Sequence, residues 1–192
     1  MPDTTVKYFD STMSGAPALS GTAGTLLGVF DACLINGMGS VTLNSLVVAD
    51  NVATGTVSAG HNFALIGSAV GPVIRIAGAT PSSLNGDWRL ASVPGSTTFT
   101  FATTGISDQT ATGTITAVRA PLGFSAAFSG TNKTAYRADD VTSSRLYLRV
   151  DDTGTTSARV RGYETMSDVD TGIGPFPTDT QYSGGLYWGK SS

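Results

Sequence analysis

Glutamate and lysine are nearly missing from this chain of 192 residues. Glu164 is the one glutamate among 14 acidic residues, and Lys7, Lys133 and Lys190 are the only lysines. These two residue types populate exposed helix faces, whereas aspartate favours caps and turns. Their scarcity leaves little room for solvent-facing helix and excludes a coiled coil, which needs both in bulk. Charged residues make up 13% of the chain, against about a quarter in ordinary globular proteins. The apolar share of 40% is ordinary, so the high-charge, low-hydrophobicity form of disorder is excluded as well.

Cysteine occurs once, at Cys33, and histidine once, at His61. A single cysteine cannot build a disulfide framework within the chain, and Cys33 reads as a small buried hydrophobe. A single histidine excludes a multi-histidine metal site and catalysis that needs two imidazoles. No apolar run approaches the ~18 residues of a bilayer span. Residues Met1 to Thr5 show neither the basic region nor the apolar core of a secretory signal. The expectation is a chain made in a reducing cytoplasm. With a net charge of −3 and eleven scattered Lys and Arg there is no basic face for nucleic acid or for an anionic membrane. Neither is expected as a partner.

The missing charge is replaced by Gly, of which there are 24, and by Thr, of which there are 28, with Ser and Ala. Strands and turns should dominate. The spacing predicts one helix, Thr25 to Asn36, with Thr25 as its N-cap and Asn36-Gly37 as its stop. Asp31 is its only charge, so most of its circumference must be covered. The preceding stretch Ser11 to Gly24 reads as an extended arm that wraps or bridges. From about Val41 the period becomes two. Strands are expected at Ser45–Asp50, Ala53–Ser58, Val73–Ala77, Asp87–Val93, Thr97–Ala102 and Thr110–Val118, separated by Asp50-Asn51, Gly60-His61-Asn62, Gly78 to Gly86, Pro94-Gly95 and Gly105 to Gln109. Phe99 and Phe101 share one face. Trp88, Leu90 and Ser92 share another, opposite Arg89, Ala91 and Val93. A second unit starts near Pro121, and its clearest feature is a hairpin of Arg145–Asp151 and Ala158–Glu164. Thr165 to Asp170 reads as one helical turn. The fold class is therefore mainly β: a small β-sandwich or barrel module plus a second β-hairpin unit, one short N-terminal helix and extended terminal arms. The segments are 1–40 (arm and helix), 41–120 (β module) and 121–192 (second β unit with an aromatic tail).

The chemical inventory is thin. Asp168 and Asp170 precede Gly172 as in the opening of a calcium loop, but the third oxygen residue and the closing glutamate are absent. These carboxylates, with Asp139, Asp140, Asp151 and Asp152, are expected to cap turns and pair with Arg145, Arg149, Arg159 and Arg161. Trp88 and Trp188 with the tyrosines offer flat rings suited to a sugar face, against which stands ordinary core or subunit packing. Glycosidase chemistry would need Glu164 and an aspartate as acid and base. No phosphate-binding glycine loop is present, no cofactor is expected, and no residue is assigned a catalytic or metal role.

Several segments carry a resemblance. Tyr8-Phe9-Asp10-Ser11-Thr12-Met13-Ser14-Gly15-Ala16-Pro17 and Asp31-Ala32-Cys33-Leu34-Ile35-Asn36-Gly37 are similar to the opening of a family of tailed-bacteriophage virion proteins. Gly78-Ala79-Thr80-Pro81 to Leu84-Asn85-Gly86, followed by Thr98 to Phe101 and Ala111 to Ile115, resembles a β module repeated in phage structural proteins. Phe128 to Asn132, Arg149 to Gly154 and Gly162 to Asp170 continue the likeness. The resemblance implies a non-enzymatic structural component of the virion, present in many copies on head, neck or tail as decoration, connector or baseplate element. Its partners would be other virion proteins and copies of itself, and it would be made in the bacterial host cytoplasm. The alternative is a receptor- or glycan-binding module of a tail appendage, with a host glycan as partner. Depletion of charge marks surface destined for an interface. The candidate interface residues are Tyr8, Phe9 and Met13 in the amino-terminal segment, with Phe176, Tyr182, Tyr187 and Trp188 in the carboxy-terminal one.

Overall fold

The computed structural model describes residues 3–64, 71–182 and 186–190. The chain is mainly β, with one short helix, and forms two compact units. The first comprises Met1–Ala16 and Gly37–Pro121, the second Pro17–Asn36 and Leu122–Ser192. The arm and helix anticipated as a segment 1–40 are thus divided between the two.

In the first unit eight antiparallel strands form one sheet: β1 (Met38–Thr42), β2 (Ser45–Ala49), β3 (Val52–Thr56), β4 (Val73–Ala77), β5 (Gly86–Gly95), β6 (Thr98–Ala102), β7 (Gln109–Thr110) and β8 (Thr116–Arg119). Their spatial order is β1-β8-β4-β5-β6-β3-β2-β7. The sheet curls about a single core in which Leu46, Ile74, Leu84, Phe99, Phe101 and Ala117 are fully enclosed. Alternation does the sorting: Phe99 and Phe101 go in, while Thr98 and Thr100 stay half-buried on the other face. Asp50 and Asn51 both take positive φ, 51° and 61°, as a two-residue hairpin between β2 and β3 requires. The long loop before β5 is closed by Asn85, whose side chain accepts the Ala79 N–H and donates to the Ala79 carbonyl, both at 2.9 Å.

Three expectations for this unit are corrected. Thr110–Val118 is not one strand: β7 pairs with β2 at one end of the sheet order, and β8 lies between β1 and β4. Gly113, at φ 105°, turns the chain between them, and its α-carbon lies so close to the Gly78 carbonyl that a Cβ would sit 2.4 Å from that oxygen. Strand β5 runs through Pro94-Gly95, so the turn falls on Ser96-Thr97. A bulge between Leu90 and Ser92 breaks its alternation, so Val93 packs on the core although period two places it with Arg89 and Ala91. Residues 3–7 lie along their own sheet, with Arg89 donating to the carbonyls of Asp3 and Val6 and Lys7 to Asp87 and the Pro121 carbonyl.

The second unit is a sheet of β9 (Phe124–Gly130), β10 (Lys133–Ala138), β11 (Tyr147–Asp151), β12 (Ser157–Met166) and β13 (Gly172–Phe176), in the order β13-β12-β11-β10-β9, with β14 (Tyr187–Gly189) also on β12. The expected hairpin is β11–β12, in register Val150↔Val160 and Arg149↔Arg161. Its apolar face is covered by α1 (Thr25–Asp31), which continues as a π-helical turn over Ala32–Asn36. Leu26, Leu27 and Leu34 pack there on Tyr136, Val150 and Val160. The helix's one charge, Asp31, accepts a 2.7 Å hydrogen bond from the Tyr136 hydroxyl. Burial and then this carboxylate push the Tyr136 phenol well above its usual pKa. Thr165 to Asp170 is not helical. β12 continues to Met166, and Asp168 then accepts the Asp170 N–H in a tight loop that closes from Ser167 N–H to the Thr171 carbonyl.

Candidate functional site

The amino end of α1 departs from the sequence reading. Gly24, in the left-handed region, is the N-cap and offers no side chain, while Thr25 turns its hydroxyl back to the carbonyls of Ser20 and Thr22. The capping acceptor comes from far along the chain: Asp152 Oδ2 takes the Leu26 N–H at 2.8 Å. Its other oxygen lies 2.5 Å from Lys190 Nζ, and both side chains are fully enclosed. Lys190 Nζ also donates to the carbonyls of Thr22 and Gly154, at 2.8 and 2.9 Å, which uses its three protons. Around the same point Asp152 donates its N–H to the Asn132 carbonyl and accepts the Gly24 N–H. A buried ion pair is tolerable when its remaining hydrogen-bonding capacity is filled, and here it is.

This anchor fixes β14, which immediately precedes Lys190. Tyr187 and Trp188 pair with Arg159 and Ala158 of β12, so the partner of the aromatic tail lies earlier in the chain. The Trp188 ring meets Phe30 at 5.6 Å and is still 50% exposed, and Tyr187 is 59% exposed. On β13, collinear along the same edge of β12, Phe176 lies over Gly162 and is also exposed. Tyr182 is exposed as well, but nothing pairs it to a strand. Of the seven candidate residues, Phe176, Tyr187 and Trp188 therefore stand on one sheet edge. Tyr8, Phe9 and Met13 belong to the other unit, where Tyr8 and Met13 line a cavity and Phe9 is half-buried.

The other face of the hairpin carries the charges. Arg149 bonds Asp170 at 2.6 Å and Asp151 at 3.0 Å, while Arg159 and Arg161 share Asp179. Lys133 joins Asp170 at 2.8 Å. Arg137 stacks over Tyr147, 4.9 Å from the ring centre, instead of pairing. Arg145 has no carboxylate partner among the described residues, contrary to expectation. The Asp168–Asp170 loop is taken up by these contacts. Among the described residues no group of three His, Cys, Asp or Glu is placed to hold a metal.

The remaining chemical candidates are structural in their surroundings. His61 is buried. Its Nδ1 accepts the Phe63 N–H, so its proton sits on Nε2, which faces the carbonyls of Gly95 and Thr98. Cys33 belongs to the other unit and is half-buried, not enclosed as expected, and desolvation pushes its thiol above the usual value. Trp88 lies on Phe101 at 5.0 Å and donates to the Leu84 carbonyl, so its ring is committed to the core, and Trp188 belongs to the other unit. No family model, curated protein or solved structure matches the chain.

Proposed function

We propose that the chain is a non-enzymatic structural component of a tailed-bacteriophage particle, present in many copies and held by contacts with copies of itself and with neighbouring virion proteins. The particle assignment rests on the resemblance of the segments quoted above. The observation that carries the mode of action is the aromatic edge of the second unit. Phe176, Tyr187 and Trp188 are exposed, yet they sit on strands hydrogen-bonded to β12, and Lys190 pins the strand that bears two of them. Rigid, exposed aromatic rings lose little conformational entropy on docking and are the residue types that dominate interface energies. Ile173, 73% exposed on the same edge, extends the apolar surface. Sheet edges are normally blunted by charge or proline, and here β13 and β14 carry no charge and Pro175 is their one proline.

The test has two arms. Sedimentation of the purified chain should show a concentration-dependent oligomer that Trp188→Asp abolishes without loss of the β-type circular dichroism. Antibody raised against the chain should decorate tailed particles at repeated positions. A monomer at all concentrations, with particles that bear no label, overturns the reading. A receptor-binding module acting through this aromatic edge would instead bind specific sugars on a glycan array and lose that binding in Trp188→Asp.

A further inference from the structure

A cavity of about 400 Å³ opens in the first unit, within the size range of small-ligand sites. Its floor holds an anomaly. Arg119 closes β8 on the same face as Ala117, which is wholly enclosed in the core. Period two calls for an apolar side chain there, and its cross-strand partners are apolar: Met38 on β1 and Ile74 on β4. Arg119 is nevertheless a cation, 6% exposed, and its buried Nη1 has no hydrogen-bond partner among the described residues. It forms no ion pair with any described carboxylate. An enclosed guanidinium nitrogen without an acceptor is unfavourable, and an acceptor supplied to this cation from outside the chain would relieve it.

The rest of the lining narrows the class. The Tyr8 ring lies 5.8 Å from the Arg119 guanidinium carbon. Asp10 lines the cavity with one oxygen taken by the Thr12 amide and hydroxyl, at 2.8 and 2.5 Å. Thr12's hydroxyl and then its amide hold the Asp10 carboxyl below its usual range, and the charge of Arg119 adds to this. Asp10 therefore stays an acceptor and favours a hydroxyl donor. Ser14 and Asn62 supply further polar groups on the same wall, 3.4 Å apart. We infer that this cavity binds a polyhydroxylated carboxylate of the acidic-sugar type, its carboxylate on Arg119, a hydroxyl on Asp10 and an apolar ring face against Tyr8. The site lies wholly in the first unit.

Nuclear magnetic resonance titration of the full, isotope-labelled chain tests it, with glucuronate, glucose and acetate as probes. Glucuronate should give saturable shifts at Thr12, Ser14, the Asn62 side-chain amide and Arg119, at lower concentration than acetate, with none from glucose. Arg119→Gln should weaken glucuronate binding by about tenfold or more. Asn62→Gly, which keeps the positive φ of 51° at this exposed position, should weaken it by a smaller factor. Arg119→Met should leave the ligand-free thermal midpoint unchanged or raise it, since an enclosed and unpaired cation is removed. Absence of shifts, equal affinity for acetate and glucuronate, unchanged binding by Arg119→Gln, or a lowered midpoint in Arg119→Met would each overturn the assignment.

Discussion

The Asp152 carboxylate does the work of two residues. It caps a helix and neutralises a lysine, so its removal should be felt in both places. Breaking one side of an enclosed ion pair costs about 3–5 kcal/mol. Asp152→Ala and Lys190→Met should each lower the stability of the second unit by about that much, as read from urea midpoints. The double variant should lose less than the sum, because neither charge is then left uncompensated. A second test concerns Asp87. Burial alone would push its carboxyl up, but Arg75 at 2.6 Å and Lys7 at 2.6 Å outweigh it and hold the pKa below the usual value. A carboxyl depressed in the folded state contributes stability above its unfolded value, about 3.9, and loses it as pH falls from there toward the folded value. Urea midpoints should accordingly be level near neutrality and decline below about pH 4, and Asp87→Asn should make that decline shallower. The Asp pairs were legible as turn formers. What Asp152 pairs with was not, since its partners stand 126 residues before it and 38 after, and no local pattern joins them.

At the scale of elements, local patterning carried as far as local physics reaches. The alternation of Phe99 and Phe101, the Asp50-Asn51 turn and the β11–β12 hairpin follow from neighbours in sequence. Strand β9 did not show itself, because Phe124 to Gly130 contains two Ser, two Ala and a Gly and no β-branched residue, and its place is set by pairing with β10. The split of 110–118 was hidden for the opposite reason: Thr112, Thr114 and Thr116 keep strand alternation through a glycine corner. Strand spacing depends on glycines at two close approaches. A Cβ on Gly55 would meet the enclosed Phe99 ring at 2.5 Å, so Gly55→Ala should cost about 1–3 kcal/mol by thermal denaturation. A Cβ on Gly162 would strike the Phe176 ring at 2.1 Å, and that ring lies outside the cores. Gly162→Ala should therefore displace Phe176 and weaken self-association more than it weakens folding, which sedimentation and thermal melts separate.

At the scale of the whole molecule, economy of charge is the governing trait. Eleven basic side chains serve two units, and most are spent: Lys7 and Arg75 on Asp87, Arg149 and Lys133 on Asp170, Arg159 and Arg161 on Asp179, Lys190 on Asp152. Composition made that thrift legible, and with it the mainly β class. It could not single out Arg119, which looks like any arginine until β8 turns it inward. Nor could it say that the aromatic residues near the end of the chain are held fast instead of trailing.

The tether between Lys190 and the Thr22 carbonyl spans 168 residues. A ribosome delivers the helix early and its lysine late. While those residues are added α1 must wait without the carboxylate–ammonium pair that secures its first turn, and the strands of the first unit emerge in the interval. A nascent chain stalled short of Lys190 would hold Asp152 as an enclosed carboxylate without its ammonium partner.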